Sequence, residues 1–136
     1  RLFELPVAAG TKVSVSDEKV IIDMIVGDVD GKNVIIMDDE IATGGSIVEL
    51  IERLRERNVK EITVVCTHGV FTGSSLERFR NRDDISEIVT TNTVPIPEDQ
   101  RPKNMTVLSI APLLAETIRR IHNGESVSSL FADSVY

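Results

Sequence analysis

A single cysteine, Cys66, stands in the apolar run ITVVC. One thiol excludes an intramolecular disulfide framework, and its surroundings make it a buried, unreactive side chain. No apolar stretch approaches the roughly 20 residues of a membrane span. The opening residues also lack a basic region followed by an apolar run, so a soluble, cytoplasmic protein is the expectation. Acids are spread along the chain, no basic cluster of the kind that neutralises a phosphate backbone stands out, and the net charge is −7. The chain therefore lacks the basic footprint that neutralises a phosphate backbone, and nucleic acid is not expected as a partner. Neither G-x-x-x-x-G-K-[ST] nor G-x-G-x-x-G occurs, which sets aside a Walker-type nucleotide site and a dinucleotide fingerprint.

What is present is enough for one core. With 136 residues and 41% hydrophobic content, a single domain spanning 1–136 would bury about two-thirds of its unfolded surface. The chain opens on Arg1, and ELPVAA reads as a buried strand, so we expect a fragment that begins inside a larger fold. Short apolar runs alternate with amphipathic stretches, the order of an α/β protein with a mostly parallel sheet covered by helices. Strands are predicted at Leu5–Ala9, Val20–Val26, Val34–Met37, Glu61–Cys66, Ile88–Thr90 and Thr106–Leu108. A helix is predicted from Ser46 to about Arg57, with Ile47, Leu50, Ile51 and Leu54 on one face and Asn58 as a left-handed exit. A second runs from Pro112 to His122 with Leu113, Leu114, Ile118 and Ile121 as its buried stripe and Gly124 near its stop. A shorter one starts at Ser74 or Ser75 and buries Leu76 and Phe79. Three prolines between Val94 and Lys103 mark a loop.

The chemistry gathers in Val34 to Leu50, VIIMDDEIATGGSIVEL, which passes from strand through two acids and a Gly-Gly turn into the first helix. Open parallel sheets bind ligands beyond the carboxyl ends of their strands, where helix N-termini present N–H groups and a positive dipole end. Thr43, Gly44, Gly45 and Ser46 would wrap a phosphate there, the glycines admitting close backbone approach. Asp38 and Asp39 would repel that phosphate unless they face sugar hydroxyls or a Mg²⁺ held mostly through water and ligand oxygens. A phosphorylated sugar satisfies both halves. The same residues also permit a plainer reading: Ser46 and Glu49 have capping-box spacing, and the two acids complement a helix dipole.

DDEIATGGS resembles the phosphoribosyl pyrophosphate binding motif of type I phosphoribosyltransferases, which implies a Rossmann-like sheet with helices on both faces. GDVDGKNVIIMDD, CTHGVFTG, TNTVPIP and above all VLSIAPLLAETIRRIHNGESVSSLF resemble ribose-phosphate diphosphokinases, from about Leu5 to Phe131. That resemblance implies transfer of the diphosphoryl group of ATP to the 1-hydroxyl of ribose 5-phosphate, with release of AMP and a requirement for Mg²⁺, in a homo-oligomer. Ala42, Thr43, Gly44, Gly45 and Ser46 would hold the 5-phosphate, and Asp38 and Asp39 the ribose hydroxyls. The family more often carries Asp at Ala42 and Thr at Ser46.

LPVAAGTK resembles the strand entering the family's mobile catalytic loop. Lys12 would then stabilise charge on the transferring phosphoryl groups. The family follows that lysine with two arginines, where this chain has Val13 and Ser14. Its metal-binding histidine and aspartate and its ATP-binding segments would lie upstream of Arg1, leaving this piece inactive alone. His68 faces the same sheet edge as the loop, either lining the site or as an exposed structural residue. Ser126 and Ser128 resemble serines that help bind a regulatory phosphate. Two other functions carry the same loop: a base-transferring phosphoribosyltransferase, and a non-catalytic relative of the diphosphokinase that acts as a regulatory partner.

Overall fold

In the run from Glu61 to Gly69, Ile62, Val64 and Cys66 are buried while their neighbours are half-buried or exposed, the period of two that a strand imposes. The computed structural model describes residues 5–16 and 19–132. In chain order the elements are β1 (Ala9–Ser16), β2 (Lys19–Val26), β3 (Asn33–Ile41), α1 (Gly45–Glu56), β4 (Glu61–Gly69), α2 (Ser75–Arg80), β5 (Glu87–Thr91), β6 (Met105–Leu108), α3 (Ala111–Asn123) and α4 (Ser129–Ala132). A 3-10 turn at Glu98–Gln100 interrupts the proline-rich loop before β6. Residues Val7–Leu108 form one unit, and the chain from Ser109 onward belongs to a second.

In the first unit, β3, β4, β5 and β6 make a parallel sheet in that order. Successive strands are laid down in one direction, so right-handed connections carry α1 and α2 to the same face. Burial agrees: Ile36, Ile62, Val64 and Ile88 are buried with Ile47, Ile51 and Leu54 of α1 and Phe79 of α2. Ile35 and Met37, pointing the other way, are 57% and 77% exposed. The α1 stripe at i, i+4 and i+7 is why this segment is helical, each buried aliphatic contributing about 1.5–3 kcal/mol. The helix ends as expected, Asn58 taking φ 56° and its amide donating to Asp30 Oδ1 at 2.8 Å.

Two expectations are corrected here. The strand placed at Leu5–Ala9 begins only at Ala9, and Leu5 and Val7 are 57% and 73% exposed. The hairpin is the reason: β1 runs antiparallel to β2 in a separate two-stranded sheet, so pairing is set by the neighbouring strand and not by the apolar run. In the second unit α3 has the predicted span, proline and left-handed Gly124 stop, yet Leu113, Leu114, Ile118 and Ile121 are 45–67% exposed. Amphipathic spacing specifies a helix and its face, but not what covers it.

Candidate functional site

β3 delivers Asp38 and Asp39 to the carboxyl edge of the sheet, where the chain turns through Ala42, Thr43 and Gly44 into α1. Asp38 accepts the Asp39 N–H at 2.9 Å, which fixes one of its oxygens. Every residue from Asp38 to Ile47 lines one cavity of about 310 Å³. Asp38, Asp39, Ala42, Thr43, Gly44, Gly45 and Ser46 are thus brought together, with Glu40, Ile41 and Ile47 added to the set. The first bond along the helix runs from the Val48 N–H to the Gly44 carbonyl at 3.0 Å. The N–H groups of the turn before it have no intrahelical acceptor and carry the positive end of the dipole.

The capping-box alternative does not form. Gly44 is the N-cap, in the left-handed region at φ 74°, and no side chain caps the helix. Ser46 lies inside the first turn, and Glu49 pairs instead with Arg53 at 3.4 Å. Thr43 Oγ1 makes only a long contact, 3.5 Å, with the Gly45 N–H. The segment after β4 braces the turn from behind. Val70 and Phe71 donate to the Ile41 carbonyl at 3.1 and 3.0 Å, and Thr72 donates to the Ala42 carbonyl at 3.0 Å.

His68 is exposed and sits beside Glu40 in the β3–β4 register. Its Nδ1 lies 2.9 Å from Thr93 Oγ1, whose hydroxyl donates to the Thr67 carbonyl at 3.1 Å. The anchor was legible only as the threonines of TNTVPIP, and their reach to His68 needs the β4–β5 pairing. Cys66 is 3% exposed and donates to Thr90 Oγ1 at 3.4 Å. Burial, aided by nearby Asp38 and opposed by the Thr90 bond, pushes its thiol pKa up, which keeps it unreactive.

Lys12 is placed within β1, opposite Ile22 and at a register irregularity, rather than in a loop. Val13 and Ser14 continue that strand; the side chains of all three lie outside the described residues. In the second unit, the carbonyl of Ser126 accepts Arg120 Nη1 and Ser129 Oγ, each at 3.0 Å, and Arg120 also bonds Ser129 Oγ. The carbonyl of Ser128 accepts the Phe131 N–H at 3.1 Å. Arg119 is held by Glu116 and Glu125. Among the described residues no three histidines, cysteines or acids could together hold a metal ion, and no helix is long and apolar enough to cross a membrane.

Comparison with known proteins bears on this geometry. The family model described as Phosphoribosyl synthetase-associated domain matches residues 5–132. A Streptomyces coelicolor protein, whose name assigns it provisionally to the ribose-phosphate pyrophosphokinases, is 50% identical over 131 residues, 96% of this chain and 41% of that protein. The ribose-phosphate pyrophosphokinase of Clostridium acetobutylicum is 46% identical over 109 residues, 80% of this chain and 34% of its own length. The crystal structure of phosphoribosylpyrophosphate synthetase from Mycobacterium smegmatis superposes with a TM-score of 0.70 at 41% identity, covering 80% of this chain and 35% of that one. The chain spans well under half the length of the curated relatives it matches.

Proposed function

This chain belongs to the phosphoribosyl synthetase-associated domain family, and from that premise we propose that it is the C-terminal, phosphoribosyltransferase-like portion of a ribose-phosphate diphosphokinase. The observation that carries the reading is that one cavity is lined both by the first turn of α1 and by Asp38 and Asp39. An anion suits the first and alcohols suit the second, so a sugar phosphate bound lengthwise satisfies both. Ribose 5-phosphate would place its phosphate against Thr43, Gly44, Gly45 and Ser46. Ala42, where the family more often has Asp, adds a backbone wall and no charge.

In the proposed reaction the 1-hydroxyl oxygen attacks the β-phosphorus of ATP, the bond from that phosphorus to the α-phosphate oxygen breaks, AMP leaves and the hydroxyl proton is lost. The chain's own contribution is positioning, since holding the sugar by both ends lowers the entropy cost of the encounter. Lys12 would stabilise charge on the transferring group. Mg²⁺, which binds through one or two carboxylates plus ligand oxygens, would offset phosphate charge, and Asp38 and Asp39 fit that donor requirement. ATP and Mg²⁺ dependence, a cytoplasmic setting, homo-oligomer assembly and a regulatory phosphate at Ser126 and Ser128 belong to the same reading and are supported by resemblance to the family.

The full-length protein tests it directly. With ribose 5-phosphate, ATP and Mg²⁺ it should form phosphoribosyl pyrophosphate and AMP. Nucleotide formation from phosphoribosyl pyrophosphate and a free base, without that activity, would replace this reading with base transfer.

A further inference from the structure

A Cβ built on Gly44 would stand 2.6 and 2.8 Å from Cε2 and Cζ of Phe79. Two carbons do not sustain such a separation, so the ring fills the place of the side chain that Gly44 lacks. Phe79 is 1% exposed and meets Phe71 edge-on, with ring centroids 5.8 Å apart at 80°. Phe71 in turn covers Gly69, whose own missing Cβ would lie 2.6 Å from it, while its N–H holds the Ile41 carbonyl. The turn that forms the cavity is therefore fastened at Ile41 and Ala42 by hydrogen bonds and at Gly44 by a ring.

We propose that Phe79 is a positioning residue for the anion-binding turn: its ring and the bare α-carbon of Gly44 share one volume, which sets where the first N–H groups of α1 point. This rests on the reading of the cavity as a sugar-phosphate site. It also changes the expected effect of a side chain at position 44. The Cβ collides with α2 from behind, and the turn is pushed toward the ligand rather than the ligand being blocked. Interiors are packed too tightly to absorb such an intrusion locally. A smaller side chain at position 79 makes room, so the two positions must change together.

The test uses Gly44→Ala, Phe79→Ile and the double variant of the full-length protein, each titrated calorimetrically with ribose 5-phosphate. Gly44→Ala should weaken binding roughly tenfold or more. Part of that loss comes from the positive φ, which no change at position 79 repairs. The double variant should nonetheless bind at least about fivefold tighter than Gly44→Ala, the signature of coupled neighbours. Parental affinity in Gly44→Ala, or a double variant no tighter than it, overturns the proposal. Should the parent itself bind no ribose 5-phosphate, the functional reading fails, and amide hydrogen exchange at Val48, whose N–H donates to the Gly44 carbonyl, decides the steric coupling separately. Faster exchange in Gly44→Ala that is slowed again in the double variant supports it; rates unchanged by either substitution reject it.

Discussion

Asp38 and Asp39 both line the cavity at the helix terminus, and the proposed function asks different things of them. Asp38 already accepts the N–H of Asp39, so Asp39 has more freedom to turn toward a ligand hydroxyl. Replacing Asp39 with Asn should weaken ribose 5-phosphate binding roughly tenfold by removing a charge-assisted acceptor. Calorimetry checks this, and circular dichroism should show an unchanged fold. Lys12 makes the contrasting prediction. If it acts on the transferring group, Lys12→Ala should lower kcat by about 10²–10³ with little change in KM for ribose 5-phosphate, because the interaction develops only as charge moves. Steady-state kinetics of the full-length protein separate the two parameters.

α1 and α3 show what amphipathic spacing can and cannot tell. Both have aliphatic stripes, and both form where the spacing predicts, but only α1 meets a sheet within its own unit. Ile51 is 0% exposed, so Ile51→Ala should cost about 2–5 kcal/mol in denaturant unfolding. In α3, hydrogen bonds from Arg119 and Arg120 hold the Glu116 carboxyl down at about 2, against 4.5 for an ordinary glutamate. A group whose folded pKa is depressed stabilises the fold fully above its unfolded value and loses that contribution as pH falls through the folded one. The ion pairs around Glu116 should therefore weaken as the pH drops from about 4.5 toward about 2. Carbon-detected NMR titration of the Glu116 carboxyl gives the midpoint, and Glu116→Gln should remove that residue's share of the dependence, leaving the share of Asp28, Asp84 and Glu125, which are also held low.

At the scale of the molecule, the parallel sheet and the joining of residues 38–46 in one turn were legible because they rest on local signals. Strand, acids, glycines and helix are consecutive from Val34 to Leu50, and adjacent residues cannot be moved apart by tertiary packing. What depended on distant partners was not legible. Pairing β1 with β2 overrode the apolar run from Leu5, the His68 anchor needed Thr93 from the turn after β5, and the contact behind Gly44 appeared only once Phe79 was seen there. The capping box failed for a related reason: Gly44 accepts the left-handed conformation more easily than any other residue, so the helix starts there and Ser46 is drawn into its first turn. A crystal of the full-length protein soaked with ribose 5-phosphate tests the central claim most directly. The account predicts phosphate oxygens within hydrogen-bonding distance of the N–H groups of Gly45 and Ser46, with ribose hydroxyls on Asp38 or Asp39. Sugar phosphate bound at another strand end, with this turn left to solvent, would contradict it.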